Sequence, residues 1–375
     1  MFNKTTINTV GRELLVVDSL RYFIGPLNND TVPYNKIAAL LNDGYTYKDL
    51  DLDDIVAEMI LQDAEYRAKY FAAWRQAGVN IVQQTVGVVG FRPDAYDQLI
   101  KDIAFWWRVS QISDEIVVIT SYSDIEKVRE YNKLGIILGV QDTTFLDRDL
   151  RRLEIVYNLG VRVVQPTYNM MNNMGTGCTE RVDAGLSFLG LELIKRLESL
   201  GIIIDASHCS YRTTMDILSV STKPIVFTHT VCKSVYAHAR GKTDEELQAV
   251  AETGGYVGIA LVPAFLTNAP VVTLEDFFKH LQHAIEVCGL DHVGIGTDWG
   301  VAYPSEIARW KTVLAKYEGF RPEHGLDYSA TVAGFECWTD WPNIISGLAQ
   351  RGYTRAQIAK IVGENFLNVF KKVVG

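Results

Sequence analysis

Two histidines follow two short apolar runs, in positions where their side chains could bind one metal ion. The stretch GIIIDASHCS carries an isoleucine run to His208, and the stretch KPIVFTHT carries a second run to His229. Continuous apolar runs of this length are typical of strands buried on both faces, as in a parallel sheet. If these strands are neighbours, both imidazoles lie at the same edge, where neutral ring nitrogens are common zinc ligands. Capping or hydrogen-bonded histidines without a metal are the alternative.

Two further polar side chains are candidates for chemistry at the ends of strands. Asp298 follows GIGT, so it could bind a metal ion or accept a proton from a metal-bound water. A cap on the following segment is the alternative for this aspartate. Arg240 lies shortly after His229 and could form two parallel hydrogen bonds with a substrate carboxylate. A solvated surface position is the alternative for this arginine.

A recurring unit would position these residues: an amphipathic helix, a glycine, and a short strand rich in valine and isoleucine. Strands that alternate with helices in this way indicate βαβ units and a parallel sheet. The sequence predicts nine strands, at residues 14–17, 79–85, 116–120, 136–141, 161–167, 202–207, 225–229, 256–261 and 292–298. Eight would close a (β/α)8 TIM barrel, with 116–120 outside because too little chain separates it from the next strand. A doubly wound open sheet is the alternative, but no glycine-rich phosphate loop follows the first strand.

Helical patterns fill the segments between the strands. We predict helices at residues 52–77, 150–158, 187–200 and 243–253, with Gly78 ending the first and Ser187 and Thr243 as N-caps of the last two. Residues 300–332 are predicted to form loops and short helices over the barrel mouth, before two closing helices at 338–352 and 354–374. No linker, repeat or low-complexity tract divides the sequence, so residues 1–375 are predicted to form a single domain.

The composition excludes several classes of function. A formal net charge of -9 over 375 residues argues against nucleic-acid binding, which requires a basic face. No apolar stretch is long enough to span a membrane, and the first residues lack the order of a signal peptide, so a cytoplasmic location is expected. The 5 cysteines have no CxxC spacing, which indicates reduced thiols rather than a disulfide framework.

The chain resembles the renal or membrane dipeptidase family (peptidase family M19), whose members are amidohydrolase-like barrels. The resemblance runs from about Leu14 to the C-terminus and is carried by LGVRVVQPTYNMMN, GIIIDASHCS, KPIVFTHT, HARGKTDEE, GGYVGIALVPAFL, DHVGIGTDWG and GENFLNVF. It implies a (β/α)8 barrel that is often a homodimer and hydrolyses dipeptides with a pair of zinc ions. It also implies that His208 and His229 bind one zinc ion. Arg240 would bind the substrate carboxylate, and Asp298 would be catalytic.

The chain departs from the family pattern at the second zinc ion. Leu20 and Tyr22 occupy the positions of the His-x-Asp pair that holds this ion, and Gln141 replaces the bridging glutamate. Two zinc ions in close proximity repel each other, and anionic ligands between them offset the repulsion. Because both carboxylates are absent, we predict a single zinc ion on His208 and His229. Gln141, the catalytic aspartate or water would complete its coordination.

Tyr168 replaces a substrate-site histidine of the family, while the rest of the rim keeps a polar set. We predict four substrate-binding residues, namely Arg240, Tyr168, Asn169 and Asn172. The predicted function is a metal-dependent hydrolase of the amide bond in a dipeptide or modified amino acid. Its partners would be a small substrate bearing a carboxylate and a second copy of the chain, with no nucleic acid and no membrane.

Two other functions stay open from the sequence. The lost zinc pair and the replacement at Tyr168 favour a different C–N hydrolase, or a lyase, that acts on a small amine-bearing acid. A non-catalytic binding protein that keeps the barrel is the third reading, because a fold alone does not determine function.

Overall fold

Eight parallel strands form a nearly closed barrel in the computed structural model, which describes residues 14–46, 50–298 and 302–375. The strands of the chain are β1 (Val17–Arg21), β2 (Ile81–Thr85), β3 (Ile116–Val118), β4 (Leu134–Val140), β5 (Val161–Val164), β6 (Ile203–Asp205), β7 (Ile225–Cys232), β8 (Gly241–Lys242), β9 (Tyr256–Ile259), β10 (Val272–Thr273), β11 (Val293–Ile295) and β12 (Val332–Ala333). Around the barrel the order is β1–β2–β4–β5–β6–β7–β9–β11. The two ends meet where the amide of Asp298 donates to the carbonyl of Leu20 at 3.1 Å. The predicted (β/α)8 TIM barrel is confirmed.

The strand β3 lies outside the barrel, as predicted. It pairs with the first part of β4, from Ile116 opposite Leu134 to Val118 opposite Ile136. Further along β4, from Leu138 onward, β5 pairs in its place. The edge of β4 is therefore shared, and only β5 continues the barrel.

The bounds of the first strand differ from the prediction. The sequence pattern places it at residues 14–17, whereas the strand spans Val17–Arg21. Polar residues such as Asp18 and Arg21 look like the end of a strand, but both are fully buried here. The guanidinium carbon of Arg21 lies 4.3 Å from the centre of the Trp74 ring, which compensates for part of its lost hydration. Tertiary contacts therefore extend a strand that local composition would end.

The helices surround the barrel and cover its two ends. They are α1 (Val32–Asn42), α2 (Leu52–Gln62), α3 (Ala64–Ala77), α4 (Ala95–Ile112), α5 (Tyr122–Glu130), α6 (Arg152–Asn158), α7 (Phe188–Leu200), α8 (Tyr211–Val220), α9 (Asp244–Glu252), α10 (Pro263–Leu266), α11 (Leu274–Cys288), α12 (Ser305–Ala315), α13 (Trp341–Gln350), α14 (Arg355–Ala359) and α15 (Asn365–Val373). A π-helical turn, Lys360–Glu364, joins α14 to α15, so the two closing helices predicted after residue 338 are present. No helix in the described ranges is long and apolar enough to cross a membrane.

Capping residues in the sequence predicted several helix ends correctly, but one break between two helices was not predicted. The helix predicted at 52–77 is two helices, because Asp63 adopts an extended conformation between them. Its side chain then caps α3 by accepting hydrogen bonds from two backbone amides. Gly78 ends α3 in a left-handed conformation, and Ser187 and Thr243 cap α7 and α9, as predicted.

The barrel interior changes from apolar to polar along its axis. An apolar layer packs against residues of α15, and its barrel members are Val17, Ile81, Ile137, Val163, Ile203, Val226 and Tyr256. Toward the C-terminal ends of the strands, the buried residues are polar, namely Ser19, Gln83, Gln165, Asp205 and Thr228. The polar side chains therefore collect at the end where TIM barrels carry their active sites.

Candidate functional site

His208 and His229 face each other at the ends of two neighbouring strands. β6 pairs in parallel with β7, with Ile204 opposite Ile225, so His208, which follows β6, and His229, in the second half of β7, lie toward the same end. The Nε2 atoms of the two imidazoles lie 2.9 Å apart. Both rings are buried, with 1% and 0% of their surface exposed. The structure therefore brings together the two residues that the sequence pairs at one rim.

The second nitrogen of each ring has a partner that fixes the position of the proton. His208 Nδ1 lies 2.7 Å from Asn169 Oδ1, whose amide is oriented because its Nδ2 donates to a backbone carbonyl at 2.9 Å. His229 Nδ1 lies 2.8 Å from the hydroxyl of Thr228, which donates its own proton to Asp205. Both partners accept, so we assign the proton of each neutral ring to Nδ1.

The two Nε2 atoms consequently point lone pairs at each other, which is repulsive unless a cation or a proton lies between them. Burial lowers the pKa of both imidazoles well below the usual value, and the charge of Arg240 lowers it further, so the rings stay neutral. Neutral rings whose other nitrogen donates to an acceptor are typical of histidines bound to zinc. The donor set of His208 and His229 therefore fits one zinc ion.

The other ligands available to this ion are neutral. Among the described residues, no group of three or more His, Cys, Asp or Glu side chains could hold a metal, so Asp298 does not join the histidines in a ligand set. Gln141 Nε2 donates to Thr85 Oγ1 at 2.8 Å, and its buried Oε1 has no hydrogen-bond partner among the residues that the structure describes. Leu20 is fully buried and apolar. These residues offer no carboxylate to hold a second ion.

Tyr168 covers the histidine pair. Its ring stacks on the ring of His208, with centroids 4.0 Å apart and planes 24° apart, and it meets Phe320 edge-on at 6.4 Å. A cavity of about 720 Å³ lies at the mouth of the barrel and is lined by Tyr168 but not by the two histidines. We call it the mouth cavity. Tyr168 therefore forms the boundary between the histidine pair and the mouth cavity.

Arg240 is buried, so the reading as a solvated surface residue is wrong. Only 1% of its surface is exposed, and its guanidinium carbon lies 5.7 Å from the centre of the Phe265 ring. Its two terminal nitrogens donate to the backbone carbonyls of Ser207 and His229. Its Nε atom is buried and has no partner among the described residues. Arg240 thus connects the backbone just before His208 to the backbone at His229, and both of its terminal nitrogens are engaged.

Asp298 is placed to exchange a proton near neutral pH. It lines the mouth cavity and has a positive φ of 54°, a left-handed conformation that few non-glycine residues adopt. Burial raises the pKa of Asp298 to about 7, and the charges of Asp18 and Asp205 act in the same direction while Arg240 opposes them. Its carboxylate makes no hydrogen bond with the part of the chain that the structure describes.

The two asparagines predicted to bind substrate are engaged within the protein. Asn169 orients His208, as described above, and does not line the mouth cavity. Asn172 Nδ2 donates to Asp142 Oδ1 and to the carbonyl of Pro166, both at 2.9 Å. Its Oδ1 accepts from two backbone amides of the loop that follows. Both asparagines therefore support the histidine side of the mouth.

The mouth cavity is lined by further polar side chains that the sequence pattern does not place there. Apart from Tyr168 and Asp298, its polar lining includes Tyr22, Asp53, Tyr303, Lys311, Glu318 and Tyr328. Lys311 Nζ lies 4.8 Å from the centre of the Tyr303 ring. Burial raises the pKa of Asp53 to about 6, although the charge of Lys311 counteracts it. Most of these residues lie in the segment after β11, which has no periodic pattern. Tyr22 and Asp53 lie outside that segment, and of these two only Tyr22 gave a signal, its departure from the family pattern.

Comparison with known proteins identifies a family and several related sequences. The family model for membrane dipeptidases (peptidase family M19) matches residues 38–316, more than half of the chain. An uncharacterised protein from the pqqA 5′ region of Klebsiella pneumoniae is 28% identical over 267 residues, which cover 68% of this chain and 87% of that protein. An uncharacterised dipeptidase of Schizosaccharomyces pombe is 29% identical over 255 residues, which cover 66% of this chain and 55% of the yeast protein.

The fold has a close counterpart among solved structures. The crystal structure of an amidohydrolase from Pseudomonas aeruginosa matches with a TM-score of 0.77 and 25% identity, and the match covers 98% of each chain. The barrel, the strand outside it and the closing helices are therefore parts of one known architecture.

Proposed function

We propose that this chain, which belongs to the membrane dipeptidase family, is a zinc-dependent hydrolase that cleaves the amide bond of a dipeptide or a modified amino acid. The observation that carries the proposal is the pair of facing Nε2 atoms of His208 and His229, each ring held by an outer acceptor. We propose one zinc ion at this pair, with Gln141 Oε1 and water as further ligands. When bound, zinc supplies Lewis-acid polarisation of the scissile carbonyl.

Asp298 is the proposed carrier of the proton. Its pKa of about 7 lets its carboxylate accept a proton and return it at neutral pH. Its position in the lining of the mouth cavity gives it access to a substrate there. The ring of Tyr168 limits the access of bulk water to the histidine pair, while its hydroxyl can orient the substrate at the boundary.

Arg240 has two roles in this proposal. Through its terminal nitrogens it positions the strand ends that carry both histidines, because they donate to the carbonyls of Ser207 and His229. The predicted contact with a substrate carboxylate would use Nε, the donor of Arg240 that lacks a partner among the described residues.

Zinc content and turnover, measured on the same preparations, test this proposal. The purified protein should contain about one zinc per chain, since two imidazoles and neutral ligands support a single ion. His208→Ala should lose both the zinc and the hydrolysis of a dipeptide panel. The matched control is His283→Ala, a partly exposed histidine that contacts Asp244 away from the mouth. A wild-type protein that contains no zinc and cleaves none of the dipeptides would refute the proposal.

A second candidate is the cleavage of a C–N bond in a compound that is not a peptide. The position of Tyr168 favours it, because the ring that covers His208 narrows the path from the mouth cavity to the proposed zinc ion. Incubation with a mixture of cell metabolites, followed by mass spectrometry, separates the two candidates. If peptides are the only compounds consumed, this second candidate fails.

Two expectations about the whole protein also stay proposals. We propose that the chain forms a homodimer, as its family resemblance implies, and that it acts in the cytoplasm. Light scattering of the purified protein and fractionation of cells test these two points.

A further inference from the structure

Three glutamines face the barrel interior from neighbouring strands, and their side-chain amides lack hydrogen-bond partners. Gln83 lies in β2, Gln141 follows β4 and Gln165 follows β5, and each is at most 2% exposed. In the part of the chain that the structure describes, Gln83 Oε1, Gln141 Oε1 and both amide atoms of Gln165 have no partner. Buried amide atoms are nearly always hydrogen-bonded in folded proteins, so a group of this kind requires an explanation.

The strand register brings Gln83 and Gln165 to the same region of the interior. Gly139 of β4 lies opposite Val163 of β5, and Gln165 is two residues further along the same face of that strand. The amide of Gln83 lies over Gly139, since a Cβ atom built on this glycine would collide with Gln83 Nε2. The side chain of Gln83 therefore extends from β2 across β4, toward the strand that Gln165 follows.

Gln84, on the opposite face of β2 from Gln83, shows that this fold can satisfy a buried glutamine. Its Oε1 accepts a hydrogen bond from Arg21 Nε at 2.7 Å, and its Nε2 donates to the carbonyl of Thr85 at 3.1 Å. It is fully buried, as Gln83 and Gln165 nearly are. The unpartnered amides are therefore confined to the interior face, which is where a ligand would bind.

The unpartnered atoms of Gln83 and Gln165 are two acceptors and one donor. A primary carboxamide offers two N–H donors and one carbonyl acceptor, which is the complementary set. Both glutamines are neutral, so a charged group would lose its hydration here without gaining an opposite charge from them. The pair therefore favours a neutral amide over a carboxylate or an ammonium group.

The mouth cavity leads to this part of the interior. Its lining includes Thr85, which is two residues beyond Gln83 on the same face of β2. Thr85 Oγ1 accepts a hydrogen bond from Gln141 Nε2 at 2.8 Å, and Gln141 Oε1 is the further ligand proposed for zinc. A group that passes Thr85 from the cavity thus meets the amides next to the proposed zinc ion.

We propose that Gln83 and Gln165 bind a primary carboxamide of the substrate, such as the side chain of an asparagine or glutamine residue. Its nitrogen donates to Gln83 Oε1 and Gln165 Oε1, and its carbonyl oxygen accepts from Gln165 Nε2. This inference rests on the proposed function and adds the substrate class, a dipeptide or modified amino acid that carries a second, uncleaved amide. Ordered water is the competing occupant of the same atoms.

Binding of two probes of equal size tests the inference. Butyramide and 2-pentanone differ only in an amino group that replaces a methyl group, so butyramide alone has N–H donors. In titrations followed by NMR signals of the probe, butyramide should bind the purified protein about tenfold or more tightly than the ketone. The same spectra report that butyramide stays intact. Equal binding of the two probes would assign the amides to ordered water and overturn the inference.

Two variants locate the site. Gln165→Leu should remove most of the preference for butyramide, because it deletes a donor and an acceptor at nearly constant volume. Gln248→Leu is the control, since Gln248 is exposed on α9 and donates to Glu252. A preference that survives in Gln165→Leu would overturn the inference.

The stability of Gln165→Leu without a probe separates ligand binding from a structural role. Its denaturant midpoint should equal or exceed that of the wild type, because an apolar group replaces a buried amide without a partner. A lower midpoint would show that the amide is satisfied within the folded protein, and the inference would then be wrong.

The outcome can be distinguished from that of the hydrolase proposal. If the protein contains zinc and cleaves dipeptides but does not distinguish the probes, only the carboxamide site fails. If it prefers butyramide yet lacks zinc and turnover, the carboxamide site stands and the hydrolase proposal fails.

Discussion

The two sides of the barrel mouth differ in whether their key polar side chains have hydrogen-bond partners within the protein. On the side of β6 and β7, the outer nitrogen of each histidine has an acceptor, Asn169 Oδ1 on His208 Nδ1 and the Thr228 hydroxyl on His229 Nδ1. On the side of the mouth cavity, the carboxylates of Asp298 and Glu318 have no such partner among the described residues. Outer acceptors of this kind fix two imidazole rings for a small ion, whereas a carboxylate without a partner is suited to a ligand that arrives and leaves.

The largest expected effect is a loss of turnover on the cavity side with no change in zinc binding on the histidine side. Asp298→Asn should lower turnover of a cleaved substrate by about 10²–10⁴-fold, because it removes the proposed proton carrier. Zinc content should not change, since the ion belongs to the histidine side. In the wild type, turnover should fall as the pH drops below about 7, where the carboxylate becomes protonated. Loss of zinc along with activity would instead make Asp298 a metal ligand.

An Asp-to-Asn substitution at a hydrogen-bonded carboxylate should change the stability of the fold in the opposite direction from the same substitution at a carboxylate without a partner. Asp18 accepts hydrogen bonds from the amide and hydroxyl of Thr297 and from the indoles of Trp338 and Trp341. Asp18→Asn should lower the free energy of unfolding by about 2–3 kcal/mol, because one acceptor oxygen becomes a donor facing donors. Denaturant titration measures this change, with the exposed Asp114→Asn as control. Equal stability of Asp18→Asn and Asp114→Asn would contradict this prediction.

The outer partner of His208 provides the next test. Asn169→Ala removes the acceptor that holds the proton on Nδ1, so zinc affinity should fall by about 10–100-fold. Competition with a chelator measures the affinity. Asn173→Ala is the control, because Asn173 is on the same loop and contacts the carbonyl of Asp147 instead. If both variants bind zinc equally well, the assignment of the proton to Nδ1 is wrong.

The smallest effect is a gain in stability. The folded state raises the pKa of Asp298 from 3.8 to about 7, so it favours the protonated carboxyl and disfavours the ionised one. The groups that face it are Asp18, Asp205 and Arg240. Asp298→Asn should therefore stabilise the fold by about 1–2 kcal/mol above pH 7, after allowance for partial exposure. The gain should shrink as the pH falls and vanish below about pH 4. Denaturant titrations across this pH range measure it, and a gain that is independent of pH would contradict the assignment.

The sequence predicted the histidine side better than the cavity side, for a physical reason. His208 and His229 each follow a short apolar run, so their place at a barrel rim follows from local pattern, and on the cavity side the same holds for Asp298 alone among the residues discussed. Glu318 and Lys311 lie in a segment without periodicity, and only tertiary packing brings them to the mouth. The burial of Arg240 could not be predicted from local pattern either, because the carbonyls that accept its hydrogen bonds belong to other parts of the chain.

The extent of the first strand was missed for the same reason as the cavity: the prediction at residues 14–17 stops where the strand Val17–Arg21 begins. Asp18 and Arg21 are polar, and nothing near them in the sequence indicates that Trp338 or Trp74 will contact them. Their burial depends on partners far along the chain, which a reading of local pattern does not include.

The contacts of Asp18 also set the order in which the barrel is completed during synthesis. The indole of Trp338 that donates to this carboxylate is 320 residues further along the chain. A growing chain on the ribosome can pair β1 with β2 early, but the carboxylate of Asp18 in β1 gains its two indole donors only after Trp338 and Trp341 have been synthesised. A chain truncated before Trp338 therefore leaves the carboxylate of Asp18 without its two indole donors.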